Sequence, residues 1–191
     1  MKNFIETFDG ALSPEECKYF IDYINNADLK QASFGSGKGA SDPKIKDCWE
    51  VYETFSDEDK LLPTLCKYTI EYRKIHPQLD RNVYIWDLCS NYNFQKYEPG
   101  QGYHSLHCEH DGREGLGNRV LAWMFYLNTV PDGGTYFENY DLSMDAVEGR
   151  LVIWPAYWTH VHRGITSHTQ TKYIATGWHI FKPPSVELIG L

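Results

Sequence analysis

"RVLAWMFYLN", residues 119–128, is apolar on both of its alternating faces. Val120, Ala122, Met124 and Tyr126 make one face; Leu121, Trp123, Phe125 and Leu127 make the other. Side chains two apart share a side of a strand, so a strand with no polar face is covered on both. Its neighbours read alike. "NVYIWDL" (82–88), "NFQKYEP" (93–99), "GRLVIW" (149–154) and "KYIATGWHIF" (172–181) are short and rich in aromatic or β-branched residues. Gly, Pro, Asn and Asp separate them. No helical stretch alternates with these strands, which disfavours a parallel βαβ sheet and favours an antiparallel sandwich or barrel.

The chain before residue 80 has a different texture. In "LSPEECKYFIDYINNA" (12–27), Ser13 predicts an N-cap, Pro14 the first helical position, and Glu16 the return bond of a capping box. Cys17, Phe20, Ile21 and Ile24 then recur at helical spacing. A second helix is expected over residues 64–75, with Leu65, Tyr68, Tyr72 and Ile75 as its stripe and Pro77 as its stop. "SFGSGKGASDPK" (33–44) reads as a surface loop, or as a lid over a site elsewhere. Helices first and strands afterwards give an α+β class. We expect a single domain over residues 1–191, helical over about 1–80 and strand-built over about 81–182.

A chain of 191 residues with 42% hydrophobic and 23% charged content is large enough to bury a core without staples. Its net charge of −8 disfavours nucleic-acid phosphates or an anionic membrane as the main partner. Five cysteines, odd in number and without a CxxC pair, indicate reduced thiols rather than a disulfide framework or a zinc knuckle. No signal-like segment or run of eighteen apolar residues occurs, so a soluble, cytoplasmic protein with no membrane partner is expected.

The chemistry is concentrated in two histidine clusters, "YHSLHCEHDG" (103–112) and "WTHVHRG" (158–164). On a strand, His107 and Glu109 present an imidazole and a carboxylate on one side while Cys108 faces away. One more histidine from a neighbouring strand would complete two histidines and a carboxylate on one face of a metal. Three positions would remain open, as non-haem Fe(II) chemistry requires; a structural zinc site closes its sphere instead. Asp111 competes for the carboxylate role, but its four-residue offset from His107 needs a bend rather than a plain strand.

Taken in order, "LSPEEC", "KYEPGQGY", "HCE", "FYLN", "GGTYF", "GRLVIWP", "HRG" and "KYIATGW" resemble the prolyl 4-hydroxylase-like family of Fe(II)- and 2-oxoglutarate-dependent dioxygenases. Apart from the opening motif, the resemblance covers roughly residues 94–181. It implies a double-stranded β-helix, or jelly-roll, core with the N-terminal helices packed on it. It also implies Fe(II) and the cosubstrate 2-oxoglutarate, with ascorbate as a further candidate. The reaction would use dioxygen to hydroxylate a C–H bond and release succinate and carbon dioxide. A prolyl residue in a peptide or protein is the first substrate class implied, and a small amino-acid-like molecule the second.

Position by position, the resemblance makes His107, Glu109 and His162 the metal ligands. His162 precedes Gly164 and lies ten residues before Lys172; His160 is the near-miss. Lys172 matches the basic residue for the far carboxylate of 2-oxoglutarate. A lysine turned into a barrel needs an anion, because an unpaired buried charge is costly. Tyr126, Thr176, Trp178 and Tyr97 resemble further cosubstrate-pocket positions, Trp154 and Trp158 are candidate walls, and Arg163 is a candidate for an anionic group on the substrate. One departure stands out. The family carries aspartate where this chain has Glu109, whose extra methylene adds about 1.5 Å of reach. That departure keeps open a noncatalytic binding module, or a site for another divalent ion.

Overall fold

The computed structural model of the protein describes residues 2–32, 42–81, 85–110 and 117–182. Asp111 and most of the 33–44 loop lie outside these residues. The elements run β1 (Glu6–Phe8), α1 (Pro14–Asn26), β2 (Lys30–Gln31), β3 (Lys46–Asp47), β4 (Trp49–Thr54) and α2 (Leu62–Ile75). The second half contributes β5 (Trp86–Tyr97), β6 (Gly102–Tyr103), β7 (Arg119–Tyr126), β8 (Val130–Phe137) and β9 (Leu142–Ala146). It closes with β10 (Leu151–Pro155), β11 (His162–Ile165) and β12 (Lys172–Phe181). Seven strands form one sheet in the order β1-β10-β7-β12-β5-β4-β2. Three more form a sheet in the order β11-β8-β9, and β3 pairs with β6. Every registered pairing is antiparallel. This is the jelly roll with helices packed on it.

The apolar run that opened the chain's reading becomes β7, near the middle of the large sheet. Leu121, Trp123 and Phe125 join Phe20, Ile24, Leu65 and Tyr72 in the core beneath the helices. Ala122, Met124 and Tyr126 enter a second core with Trp154, Phe137 and Ile174, on the side of the small sheet. Two distinct cores explain why neither face of β7 is polar. Each fully buried side chain of this kind contributes about 1.5–3 kcal/mol relative to exposure.

Helix α1 starts as its sequence dictates. The Ser13 hydroxyl accepts from the Glu16 N–H at 3.2 Å, and the Glu16 carboxylate accepts from the Ser13 N–H at 2.8 Å. Cys17, Phe20 and Ile24 are buried. Helix α2 begins two residues earlier than its pattern suggests and lacks a side-chain cap at Leu61. It buries Leu65 and Tyr72 and leaves Ile75 exposed.

Three differences from the sequence reading concern strands. The segment before residue 80 is not only helical, because β4 joins the large sheet alongside β5. Its alternation is concealed: Glu50 is buried on the inner side, where Lys46 pairs with it at 2.6 Å. The stretches at 82–88 and 93–99 belong, within the described residues, to one strand, β5. The "CSN" between them continues the strand instead of turning, with Cys89 half-buried and Ser90 and Asn91 exposed. "GGTYF", a turn in the pattern of the family it resembles, stays in β8, where Gly134 takes φ +126° and an added Cβ would stand 2.1 Å from the Met144 carbonyl.

Candidate metal centre

A cavity of about 500 Å³ opens on the inner face of β4, β5, β12 and β7, within the size range of small-ligand sites. His107 stands on its wall through an isolated bridge to β11. The N–H groups of His107 and His162 each donate to the other's carbonyl at 2.9 Å. The Glu109 N–H donates to the Ala156 carbonyl at 3.0 Å, which fixes the residue after β10. Two distant segments thereby meet, and the ligating atoms of His107, Glu109 and His162 all lie within 4.8 Å of one another.

Their tautomers are set by the backbone. His107 Nδ1 is 3.0 Å from the Ser105 carbonyl, and His162 Nδ1 is 2.8 Å from the His160 carbonyl. A carbonyl only accepts, so each Nδ1 carries the proton and each Nε2 presents a lone pair. Both Nε2 atoms face Glu109 Oε1, at 3.6 Å for His107 and 3.5 Å for His162. Burial and the neighbouring His162 press the His107 pKa down, which favours the neutral, metal-binding form. Burial alone would raise the Glu109 pKa, but in the absence of a metal a proton placed on either Nε2 pairs with the carboxylate, and this pairing outweighs burial and holds the carboxyl well below its usual range. Tyr103 stacks on His107 at 3.6 Å between ring centroids, and Trp154 meets His162 edge-on at 5.2 Å.

Lys172 lies in the same cavity and is only 4% exposed. Among the described residues its ammonium donates only to the carbonyls of Ile165, at 3.1 Å, and Gly134, at 3.4 Å. Burial lowers its pKa to about 8, against a smaller opposing influence from Cys48. The next residue after Gly134 is Thr135, whose hydroxyl is 2.7 Å from the Tyr126 hydroxyl, so a buried ammonium and a hydroxyl pair occupy one end of the cavity. The chemistry of these groups fits both implied partners. Two imidazoles and a carboxylate suit Fe(II) with positions left open, and the ammonium end suits a carboxylate.

Ile174, Thr176 and Trp178 share the Lys172 face of β12 and line the cavity, as does Tyr97 on β5. Thr176 donates to the Trp123 carbonyl at 2.7 Å, and the Tyr97 hydroxyl donates to Gln95 Oε1. Trp178 also reaches the ligand cluster: its indole N–H donates to Glu109 Oε2 at 2.7 Å. Arg163, the candidate for an anionic group on the substrate, does not line the cavity. It alternates with His162 on β11, is exposed, and lies over the Tyr136 ring outside the cavity. His160 is not on the His162 strand face, because a 3-10 turn at Trp158–His160 precedes β11 and directs its ring to the Asn3 carbonyl. Trp154 walls the cavity, whereas Trp158 is 74% exposed.

Among the cavity residues that the sequence did not single out are Thr135 and Arg119. Thr135 sits within the quoted "GGTYF", directly after Gly133 and Gly134, and nothing in that pattern announces that its hydroxyl enters the cavity. Arg119 breaks the alternation of β7. The pairing of β12 with β7 shifts register between His179 and Ile180, and Ile180 then pairs with Arg119. That irregularity carries no sequence signal.

The profile of the 2OG-Fe(II) oxygenase superfamily matches residues 92–180. No curated protein matches the chain. Among solved structures, the fold is similar to a viral collagen prolyl hydroxylase from Paramecium Bursaria Chlorella virus-1, in complex with 2OG. The TM-score is 0.70 at 20% identity, over 92% of this chain and 95% of that one. A Pseudomonas putida prolyl-4-hydroxylase gives 0.66 at 14% identity, covering 95% of each chain. A Trichoplax adhaerens prolyl hydroxylase, bound to a hypoxia inducible factor peptide fragment, gives 0.65 at 14% identity over 94% and 84%.

Proposed function

We propose that the 2OG-Fe(II) oxygenase domain carried by residues 92–180 makes this protein an Fe(II)- and 2-oxoglutarate-dependent dioxygenase that hydroxylates a C–H bond. The observation that carries this reading is the joint placement, on one cavity, of the His107–Glu109–His162 cluster and the buried Lys172. His107 and His162 would offer Nε2 and Glu109 would offer Oε1 to the iron. Lys172, with the Tyr126 and Thr135 hydroxyls, would hold the far carboxylate of 2-oxoglutarate, and Tyr97 and Thr176 would shape its pocket. Bound there, iron and 2-oxoglutarate supply the oxidising power: dioxygen is divided between the new hydroxyl and succinate, and carbon dioxide leaves. The chain's own work is to position these groups and exclude water with Trp154, Met124 and Ile174.

The substrate we propose is a prolyl residue in a peptide or protein, or failing that a small amino-acid-like molecule. Support comes from the strand side of the cavity, where Asn91, Asn93 and Gln95 form a row along β5. Gln95 donates to Asn93 at 2.8 Å, and Thr54 donates to Asn91 at 3.0 Å. Side-chain amides both donate and accept, which suits a peptide backbone. The similar structures include a collagen prolyl hydroxylase and one holding a peptide fragment.

No described helix is long and apolar enough to cross a membrane. We place the protein in the cytoplasm, in keeping with five cysteines of which none forms a disulfide, and expect neither nucleic acid nor membrane among its partners at a net charge of −8. Ascorbate is proposed as an accessory reductant.

Adding Fe(II) and 2-oxoglutarate without oxygen should produce a weak visible charge-transfer band. Admitting air should then yield slow succinate formation even without substrate. Folded protein giving neither band nor succinate would point to a noncatalytic binding module.

A further inference from the structure

We infer that Arg119 and Trp178 are positioning residues that hold Glu109 as a one-oxygen metal ligand. The inference rests on the metal reading of the site and concerns how that site manages an over-long carboxylate.

Glutamate has two equivalent oxygens on a side chain with three rotatable bonds, so it can meet a metal through one oxygen or both and can swing between the two. Here the oxygens are already differentiated. Oε1 is the one facing the two imidazoles, at 3.6 and 3.5 Å from their Nε2 atoms. Oε2 is the one that accepts the Trp178 indole N–H at 2.7 Å and the Arg119 Nη1 at 3.2 Å. The same Nη1 also lies 3.2 Å from the Glu109 main-chain carbonyl, so the guanidinium spans the residue from backbone to carboxylate tip. It lies 3.5 Å from the centroid of a Trp178 ring, close enough for the two donors to brace each other. Both donors extend from strands of the large sheet, Arg119 from the start of β7 and Trp178 from β12.

The functional consequence concerns the number of positions left on the metal. With Oε2 engaged by protein donors, only Oε1 is offered, and three sites stay available. A carboxylate turning both oxygens inward would consume one of them. Partners of this kind also raise affinity by fixing the ligand before the metal arrives, typically by 10–100-fold.

The test is Mn(II) binding to the metal-free full chain without 2-oxoglutarate, read by the electron paramagnetic resonance of free Mn(II). Trp178→Phe keeps the aromatic body and removes only the N–H; Arg119→Met removes the guanidinium. Each should weaken Mn(II) binding by about 10–100-fold. Co(II) loaded in their place should show a weaker visible spectrum, as a released second oxygen raises the coordination number. A double-mutant comparison separates positioning from packing. In a Glu109→Asp background the carboxylate is shorter and forfeits its contact with the indole, so adding Trp178→Phe should cost less than twofold. If Arg119→Met does not fold, Arg119→Lys replaces it.

Unchanged Mn(II) affinity in folded Trp178→Phe and Arg119 variants would overturn the clamp while leaving the proposed function standing. An equal loss from Trp178→Phe in both backgrounds would also overturn it, since the effect would then be packing. A parent chain that binds no Mn(II) would remove the clamp and the metal reading together.

Discussion

Lys172 is an ammonium with two carbonyls for company and no described carboxylate to balance it. Its pKa falls from 10.5 to about 8 because burial penalises the charged form. Between about pH 8 and 10.5 the unfolded chain therefore holds a proton that the folded chain has released. Stability of the unliganded protein gains from this group as pH rises through that window, and the penalty is fully present below it. A dicarboxylate reverses the preference by pairing with the ammonium. Affinity for 2-oxoglutarate should thus fall as pH rises above about 8, approaching tenfold per unit, when measured by calorimetric titration. Lys172→Arg should flatten the profile, since a guanidinium stays charged throughout. At this scale the sequence speaks through residue type: His107, Glu109, His162 and Lys172 are legible because few other roles suit them together. Arg119 and Thr135 are silent because a register shift and a glycine-rich strand, not side-chain identity, direct them into the cavity.

Among the elements, α1 is the best specified. Its reciprocal cap needs only Ser13 and Glu16, three residues apart, and both bonds form. Ser13→Ala should cost about 1 kcal/mol in denaturant unfolding, with the slope unchanged. Because α1 packs on the opposite side of the large sheet from the cavity, affinity for metal should not follow. β12 is also readable to its last residue, since its alternating faces serve two cores. β4 is not, and the reason is physical. Glu50 is its one buried residue while Tyr52 and Thr54 on the same side stay exposed, so a charge sits where a pattern search looks for an apolar side chain. The buried Lys46–Glu50 pair compensates for this inversion from only four residues away, but a Lys and a Glu at that spacing read equally well as an exposed pair.

At the level of the whole molecule, binding should report on folding. The candidate ligands come from segments far apart in sequence, so metal and cosubstrate would bind the native chain and not the unfolded one. At concentrations 100 times their dissociation constants, each would add about 2.7 kcal/mol. For a chain of this size that corresponds to a melting shift of about 5–10 °C. Mn(II) with 2-oxoglutarate should produce it in thermal melts, and Glu109→Ala should abolish it. The mutual main-chain bonds between His107 and His162 bear on how such loading proceeds. Closing the long excursion between these residues is completed while the polypeptide folds, so the incoming ion meets a receptacle already shaped and has no disorder to overcome. Uptake then becomes a matter of encounter and dehydration alone.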